Sequence, residues 1–388
     1  MKTRFTRLAI LVALLCASID AFAALKGNTA VTYIGNDGLR RIRDFAIGPD
    51  GLVENYFNGL SWQWISHPRP SDVYAGLMNP TAISYEEDGT RRIYVFMVAA
   101  NGHKFVVHYF NGTQWQWAVL PTALGLGNEK ISALTYLDEL GQRRIEVFGI
   151  DDVSSHSHVI RTWWDGSTWQ SLKFENPIHD GRVNGPLTAL TYTERGERRI
   201  NIYALFEEFG NGIQRKLYSL SWQRGSWQWS YLGIQHFHAR SAVTFKDAGE
   251  ARHVQLFGAR VLNDALALYD WDGSSWNLVD LGKPEFNDQG PPDVSAISYL
   301  GNTGERQTLV ATIFNEHLYF KRHDGTSWSS FATFAGGATQ FADDPAWIIY
   351  PDSLGNNDTL QMFVSSAGGL MRHRWNGSSW QSFDQGAP

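Results

Sequence analysis

The chain has 388 residues, 43% hydrophobic and 19% charged, with a formal net charge of −6. The low charge and 14% aromatic content exclude a disordered chain, and the length allows a large core. Lysine and arginine gather into no stripe and the balance is mildly acidic, so no nucleic-acid partner is expected.

The first element in chain order reads as a targeting segment. Lys2, Arg4 and Arg7 precede the short apolar run LAILVALLCASI, and Ala21-Phe22-Ala23 puts small residues where signal peptidase needs them. Residues 1–23 are expected to be a signal peptide, leaving 24–388 as one domain that is secreted or periplasmic. Cys16, the single cysteine, falls inside the leader, so the exported domain would be held by its core and not by disulfides. No later apolar stretch is long enough to span a bilayer, and no stable membrane insertion is expected.

From residue 28 to 384 the chain repeats itself. A turn glycine (Gly59, Gly112, Gly166, Gly225, Gly273, Gly325, Gly377) is followed each time by a tryptophan (Trp62, Trp115, Trp169, Trp227, Trp276, Trp328, Trp380). Successive tryptophans are 53, 54, 58, 49, 52 and 52 residues apart, a periodicity that chance composition does not produce. Midway between them lies a strand-like run with a small pair at its start: TAVTY, TAISY, SALTY, TALTY, SAVTF, SAISY and PAWII. A polar turn then leads to RRIRDF, RRIYVF, RRIEVF, RRINIY, ARHVQLF, ERQTLVA or DTLQMFV. A variable loop, a third strand such as LALYDW, an Asn-Gly or Asp-Gly turn and the tryptophan strand complete each unit. Four short strands repeated seven times predict an all-β chain folded as a seven-bladed β-propeller, with four antiparallel strands per blade.

This arrangement assigns jobs to the motifs. Ala30, Ala82, Ala133, Ala189, Ala242, Ala296 and Ala346 would sit where blades converge on the axis. The ring would close by packing blade 7 on blade 1 without a shared strand. The 1–2 and 3–4 turns, short and nearly uniform, would make a scaffold face, and the irregular loops of the opposite face would carry function. Each turn tryptophan either knits the outer strands of its own blade or stacks on the apolar face of a sugar. Rings before the turn, Trp163, Trp164, Trp222, Trp271 and Trp375, have varied neighbours and are the better ligand candidates. The pairs Arg40-Arg41, Arg91-Arg92, Arg143-Arg144 and Arg198-Arg199 read as turn salt bridges or as hydroxyl clamps beside a ring.

Stretches such as RRIEVFG followed by HVIRTWWDGSTWQSL, and RRINIYALF followed by KLYSLSWQRGSWQW, resemble the seven-bladed propeller lectins of Photorhabdus. More distantly they resemble the fungal fucose-binding propeller lectins, which pair an Ile-Arg-Val-Tyr-like strand with a Trp-ended hairpin. The resemblance implies carbohydrate binding, to fucose-like or O-methylated sugars, in pockets between blades. Partners would be glycans or glycoconjugates, with no cofactor and no metal. Oligomeric state is left open, a homodimer included. Fungal-type sites use an arginine and a glutamate with aromatics; Arg92, Arg144 and Arg199 match the arginine loosely. No glutamate recurs on the third strand, where His108, a further candidate ligand residue, Arg161, Ser219, Tyr269, Phe320 and Arg372 stand instead.

Two other classes stay open. A hydrolase or lyase would need one unique site, for which Glu207, Glu208 and Asp180 with His179, or His236 and His238 with Asp288, supply carboxylates and bases. An envelope interaction scaffold would show one broad patch in place of repeated small pockets. The histidine run His156 to His158 lacks nearby ligands at metal-binding spacing.

Overall fold

The computed structural model describes residues 25–388 except 72, 74–75, 100–102, 122–130, 152–156, 180, 211, 248, 285–292, 302–303, 335–340, 342–344, 352–357, 367 and 377–378. The expected signal peptide with Cys16, and also His156, Asp180 and Asp288, lie outside the described residues. No helix among the described residues is long and apolar enough to cross a membrane.

Seven antiparallel sheets form the ring. Blade 1 runs outward through Lys26–Ile34, Arg40–Gly48, Gly51–Phe57 and Trp62–Pro68. Blade 2 is Leu77–Glu87, Thr90–Ala99, Lys104–Phe110 and Trp115–Val119, and blade 3 is Ser132–Leu137, Arg143–Asp151, His158–Trp164 and Trp169–Lys173. Blade 4 has the long strands Glu197–Gly210 and Gly212–Gln223 between Thr188–Glu194 and Ser226–Gln235, and Gly181–Val183 adds a fifth, short strand. Blades 5 to 7 begin at Phe237–Lys246, Asp293–Leu300 and Ala346–Pro351. First strands neighbour one another all round the ring, blade 7 beside blade 1, with no strand shared.

Side-chain alternation explains how blades stack. In blade 2, Phe96 and Val98 face blade 3 while Val95 and Met97 face blade 1, all fully buried, so the second strand is apolar on both faces. The recurrent tryptophan packs on the last ring of its own third strand, as Trp62 does on Phe57 at 5.2 Å, and also docks on the second-strand aromatic of the preceding blade. Trp115 meets Phe45 at 5.8 Å, Trp169 meets Phe96 at 5.9 Å, Trp227 meets Phe148 at 6.1 Å, Trp276 meets Tyr203 at 6.2 Å and Trp328 meets Phe257 at 6.0 Å. Ring closure uses the same contact, Trp62 on Phe363 at 5.8 Å. Each such pair adds about 0.5–1.5 kcal/mol beyond its buried area.

The small pair of the first strand serves the same junction. Its Thr or Ser hydroxyl accepts the next blade's alanine N–H, Thr29 from Ala82 at 3.0 Å, Ser132 from Ala189 at 3.2 Å and Ser241 from Ala296 at 3.0 Å. The alanines themselves leave room for the preceding blade's ring, as Ala30 does in the cluster holding Phe363. Blade 7 departs from expectation: register pairs Met362 with Trp347, so Trp347 and not Ala346 stands where the other blades have alanine. Opposite it, blade 6 carries Ala311 where the others have an aromatic ring. Large and small have exchanged places, and Trp347 binds across the junction through Nε1–H to the Ser295 carbonyl at 3.1 Å.

The first arginine of each pair, and the single arginine at the same place in blades 5 and 6, stacks on the first-strand aromatic of the preceding blade. Arg40 lies over Tyr350, Arg91 over Tyr33, Arg143 over Tyr85, Arg198 over Tyr136, Arg252 over Tyr192 and Arg306 over Phe245, all at 4.6–5.3 Å. Blade 7 has Asp358 at that place.

Turn chemistry also differs from the simplest reading. The loops 58–61, 111–114 and 165–168 have four residues, and only the glycine takes positive φ, for example Gly112 at 101°. The Asn or Asp works through its side chain: Asp165 Oδ1 accepts the N–H of Ser167 and Thr168, both at 2.8 Å. Those bonds hold its carboxyl well below the usual range. Among the described turns between strands 3 and 4, that of blade 4 alone is a two-residue loop, with Arg224 and Gly225 both at positive φ.

Candidate inter-blade binding sites

Among the described residues, two cavities open between blades beside the short turns. The larger, of about 1080 Å³, lies between blades 2 and 3 and is lined by Tyr85, Arg92, Tyr94 and Tyr109 on one side and Arg143, Trp164 and Trp169 on the other. Glu86, Glu87 and Asp88 form its rim. The second, of about 420 Å³, lies between blades 4 and 5, with Tyr192, Arg199, Asn201, Ser221 and Trp222 facing Trp271 and Trp276.

Strand register builds the first cavity. Tyr94 pairs with Tyr109 across strands 2 and 3, and Tyr85 stands two positions along the same face. The three rings are nearly parallel, Tyr85–Tyr94 at 6.0 Å and Tyr94–Tyr109 at 5.5 Å, both 11° apart. Tyr109 Oη donates to Gln116 Oε1 at 2.5 Å. Burial first, then the neighbouring tyrosine, raises the Tyr85 phenol, and burial raises that of Tyr94, so both stay neutral donors at physiological pH. Arg92 donates to the Asn111 carbonyl and reaches Glu87 at 3.7 Å, leaving its side chain 28% exposed at the cavity. Trp164 crosses the hairpin to Trp169 at 5.6 Å, which fixes its ring in the opposite wall.

The equivalent cavity of blades 4 and 5 keeps the frame and changes the floor. Asn201 and Ser221 replace Tyr94 and Tyr109 by register, giving hydroxyl and amide groups in place of stacked rings. Arg199 bonds Gln223 at 2.8 Å and Glu197 at 3.0 Å.

Among the sequence-derived candidates, Trp164 and Arg92 thus meet in one cavity, and Trp222, Trp271 and Arg199 in the other. Arg144 braces its own blade, donating to Asp138 at 2.7 Å and to the Asp165 carbonyl at 2.9 Å. Trp163 points from the opposite face of blade 3 and carries Arg161 on its ring at 4.2 Å. Trp375 packs on Trp380 at 5.4 Å in the cluster between blades 6 and 7. His108 is corrected: 3% exposed, it lies inside the blade 1–2 junction, stacked on Trp115 at 4.7 Å and bonded to His67 at 3.0 Å. Burial, then the His67 charge, lowers its pKa to about 3.

Sequence reasoning missed a third-strand glutamate that occurs without recurring. Glu54 of GLVENYF is fully buried, bonded to Arg43 at 2.5 Å and His67 at 2.8 Å. Blade 3 holds the same pair with charges exchanged, Glu146 on strand 2 and Arg161 on strand 3, joined at 3.0 and 2.6 Å. The signal was an acid inside an otherwise apolar run. Of the carboxylates weighed for catalysis, the two that are described are engaged: Glu207 binds Arg182 and Arg215, each at 2.8 Å, and Glu208 binds Lys216. His238 is pushed down to about 4 by burial and by Arg240. No cluster of three or more metal-binding side chains of the His, Cys, Asp or Glu type occurs among the described residues.

The geometry is that of a seven-bladed β-propeller with cavities between blades. No protein-family profile matches the chain, and no characterised protein matches it by sequence. Solved structures do share its fold. A fungal lectin of Aleuria aurantia, described as a six-bladed β-propeller with a novel fucose recognition mode, is 17% identical at a TM-score of 0.51, covering 80% of this chain and 96% of its own. A triple arginine mutant of AofleA from Arthrobotrys oligospora is 12% identical at 0.53, covering 82% and 89%. An ulvan lyase representing a polysaccharide lyase family is 13% identical at 0.52, covering 95% and 99%.

Proposed function

We propose that this chain is an exported carbohydrate-binding protein, a lectin, that holds glycans in the cavities between its blades. The observation that carries this reading is the blade 2–3 cavity, where Trp164, a ladder of three tyrosines, Arg92 and the turn carboxylates converge. Aromatic faces match the apolar face of a pyranose, and an arginine beside carboxylates matches its hydroxyls. The repeated frame in blades 4 and 5 supports more than one site per chain, which adds avidity on clustered glycans. The named specificity of the Aleuria lectin, and the resemblance to the Photorhabdus lectins, make fucosylated or O-methylated sugars the first ligands to try. Export rests on the basic and apolar start of the chain.

The test is a glycan array with purified residues 24–388, with and without calcium, followed by titration of the best sugar. Saturable binding at more than one site per chain, weakened by Trp164→Ala, is expected. Silence across fucosylated, methylated and bacterial-surface glycans by a folded sample would sink the lectin reading.

A further inference from the structure

At the junction between blade 7 and blade 1, where the ring closes, two positions break the pattern of the other blades. Asp44 is 1% exposed on strand 2, paired with Ala30. The register-equivalent residues are Val95, Val147, Ile202, Leu256, Val310 and Met362, all fully buried and aliphatic or thioether. Facing it from blade 7, Ser365 is fully buried where other blades place residues such as Ile47, Val98, Ile150 and Leu205. Two further polar side chains share the junction. Asn55 pairs directly with Asp44 across strands 2 and 3 and is 2% exposed; Asn28, 8% exposed, reaches across to the Phe363 carbonyl with its Nδ2 at 2.8 Å.

The donor count does not balance. Both carboxylate oxygens of Asp44, the amide oxygens of Asn28 and Asn55, and the Ser365 hydroxyl are buried without a hydrogen-bond partner. The Asn28 amide lies against Asp44. Its Nδ2 carries two N–H donors, one for the Phe363 carbonyl and one for Asp44, which leaves the Asn28 and Asn55 amide oxygens and the Ser365 hydroxyl still without a donor. Arg372, on the third strand of blade 7, is sandwiched between the Trp62 and Phe383 rings at 4.8 and 4.3 Å. Burial pushes the Asp44 pKa well up, so this acid among acceptor oxygens is satisfied either by taking a proton or by a positive partner. The set is all oxygen, which selects a hard cation, and it carries one negative charge, which a monovalent ion neutralises and a divalent ion would overshoot.

We propose that the blade 7–blade 1 seam is a binding site for a monovalent alkali cation, sodium or potassium, held by the Asp44 carboxylate and the amide oxygens of Asn28 and Asn55, with the Ser365 hydroxyl beside it. The ion locks the closure of the ring by tying the first blade to the last. It is independent of glycan binding, which uses other junctions.

Melting of the purified chain in sodium or potassium chloride, against tetramethylammonium chloride at equal ionic strength, tests the site. The wild type should gain about 2 °C or more, saturably, in one alkali salt. Asp44→Val installs the side chain of the equivalent position in blades 2 and 3 and should fold without that gain; Asp44→Asn, which keeps the shape, should lose it too. Identical melting of the wild type in all three salts, or an alkali gain that survives in both variants, overturns the proposal. So does a gain seen with calcium alone. If acidification stabilises the wild type relative to Asp44→Val with no salt specificity, the occupant is a proton and the cation site is refuted.

Discussion

The exchange of Trp347 and Ala311 at the blade 6–7 junction makes a quantitative prediction. At the other six junctions a small first-strand residue faces an aromatic ring; here a tryptophan faces an alanine, and Trp347 also meets Trp380 at 5.9 Å. Ala311 is fully buried, so Ala311→Phe drives a ring into occupied space and should cost about 1–3 kcal/mol. Trp347→Ala removes a half-buried ring and its bond to Ser295, costing about 3 kcal/mol, the low end for tryptophan truncation. Together the substitutions restore the arrangement of the other blades. The inserted phenylalanine then occupies the space the indole left, and the double variant should be more stable than the sum of the singles by about 1.5 kcal/mol or more. Phe320 and Phe334, which already crowd Trp380 at 5.9 and 5.0 Å, keep the recovery incomplete. Urea unfolding of the four proteins followed by far-UV circular dichroism gives the coupling energy. Additivity within about 0.3–0.5 kcal/mol would refute the claim that the two positions exchange volume.

Asp358→Arg places an arginine at the register position that the six stacked arginines hold in the other blades, and should stabilise the fold by about 0.5–1 kcal/mol in the same assay; no gain would show that the six stacked arginines contribute little. Burial lowers the His373 pKa to about 4 from 6.5. Between those values the unfolded chain binds the proton and the folded chain does not, so stability rises with pH across that window and falls on acidification, by about 1.4 kcal/mol per pH unit for this group. His373→Phe should flatten the dependence of the urea midpoint on pH between about 4 and 6.5; an unchanged slope would mean that His373 protonates in the folded state. Trp164→Ala should weaken sugar binding about tenfold at the blade 2–3 site while leaving the blade 4–5 site intact, which calorimetry resolves as loss of one class of sites.

Much of the architecture was legible because one physical problem is solved seven times. The turn glycines, the strand count and closure without a shared strand all follow from periodicity. What periodicity hides is which face a residue takes and what it meets on another blade. The tryptophans were visible, yet their partners, such as Phe96 for Trp169, lie some seventy residues away and belong to a different repeat. The arginine pairs were visible too, and only register separates the first member, stacked on the preceding blade, from the second, which braces its own turn. Ala346 was misplaced because PAWII looks like the other small pairs; the tyrosine that ends the strand lies three residues beyond the alanine in TAVTY but four beyond Ala346. His108 belonged to the interior because its strand partner Val95 faces blade 1, an alternation that a polar residue in VVHYF disguises.

The same frame also shows what fills each junction. On the face that each blade presents to the next, residues from strands 2 and 3 decide the contents. Blade 1 fills this place with Arg43 and Glu54, blade 3 with Glu146 and Arg161, whereas blade 4 has Asn201 and Ser219 beside an open cavity. An internal ion pair, in this view, is a plug. Replacing both members removes the two buried charges together, which is close to neutral for folding, whereas removing Arg161 alone would strand Glu146, fully buried, at a cost of about 3–5 kcal/mol. The double variant Glu146→Asn, Arg161→Ser copies blade 4 into blade 3. It should remain within about 2 kcal/mol of wild-type stability and bind one additional sugar per chain, facing the Trp222 and Trp227 hairpin of the next blade. A folded double variant with unchanged stoichiometry would show that binding depends on features peculiar to the natural cavities, and that the repeated frame alone does not make a site.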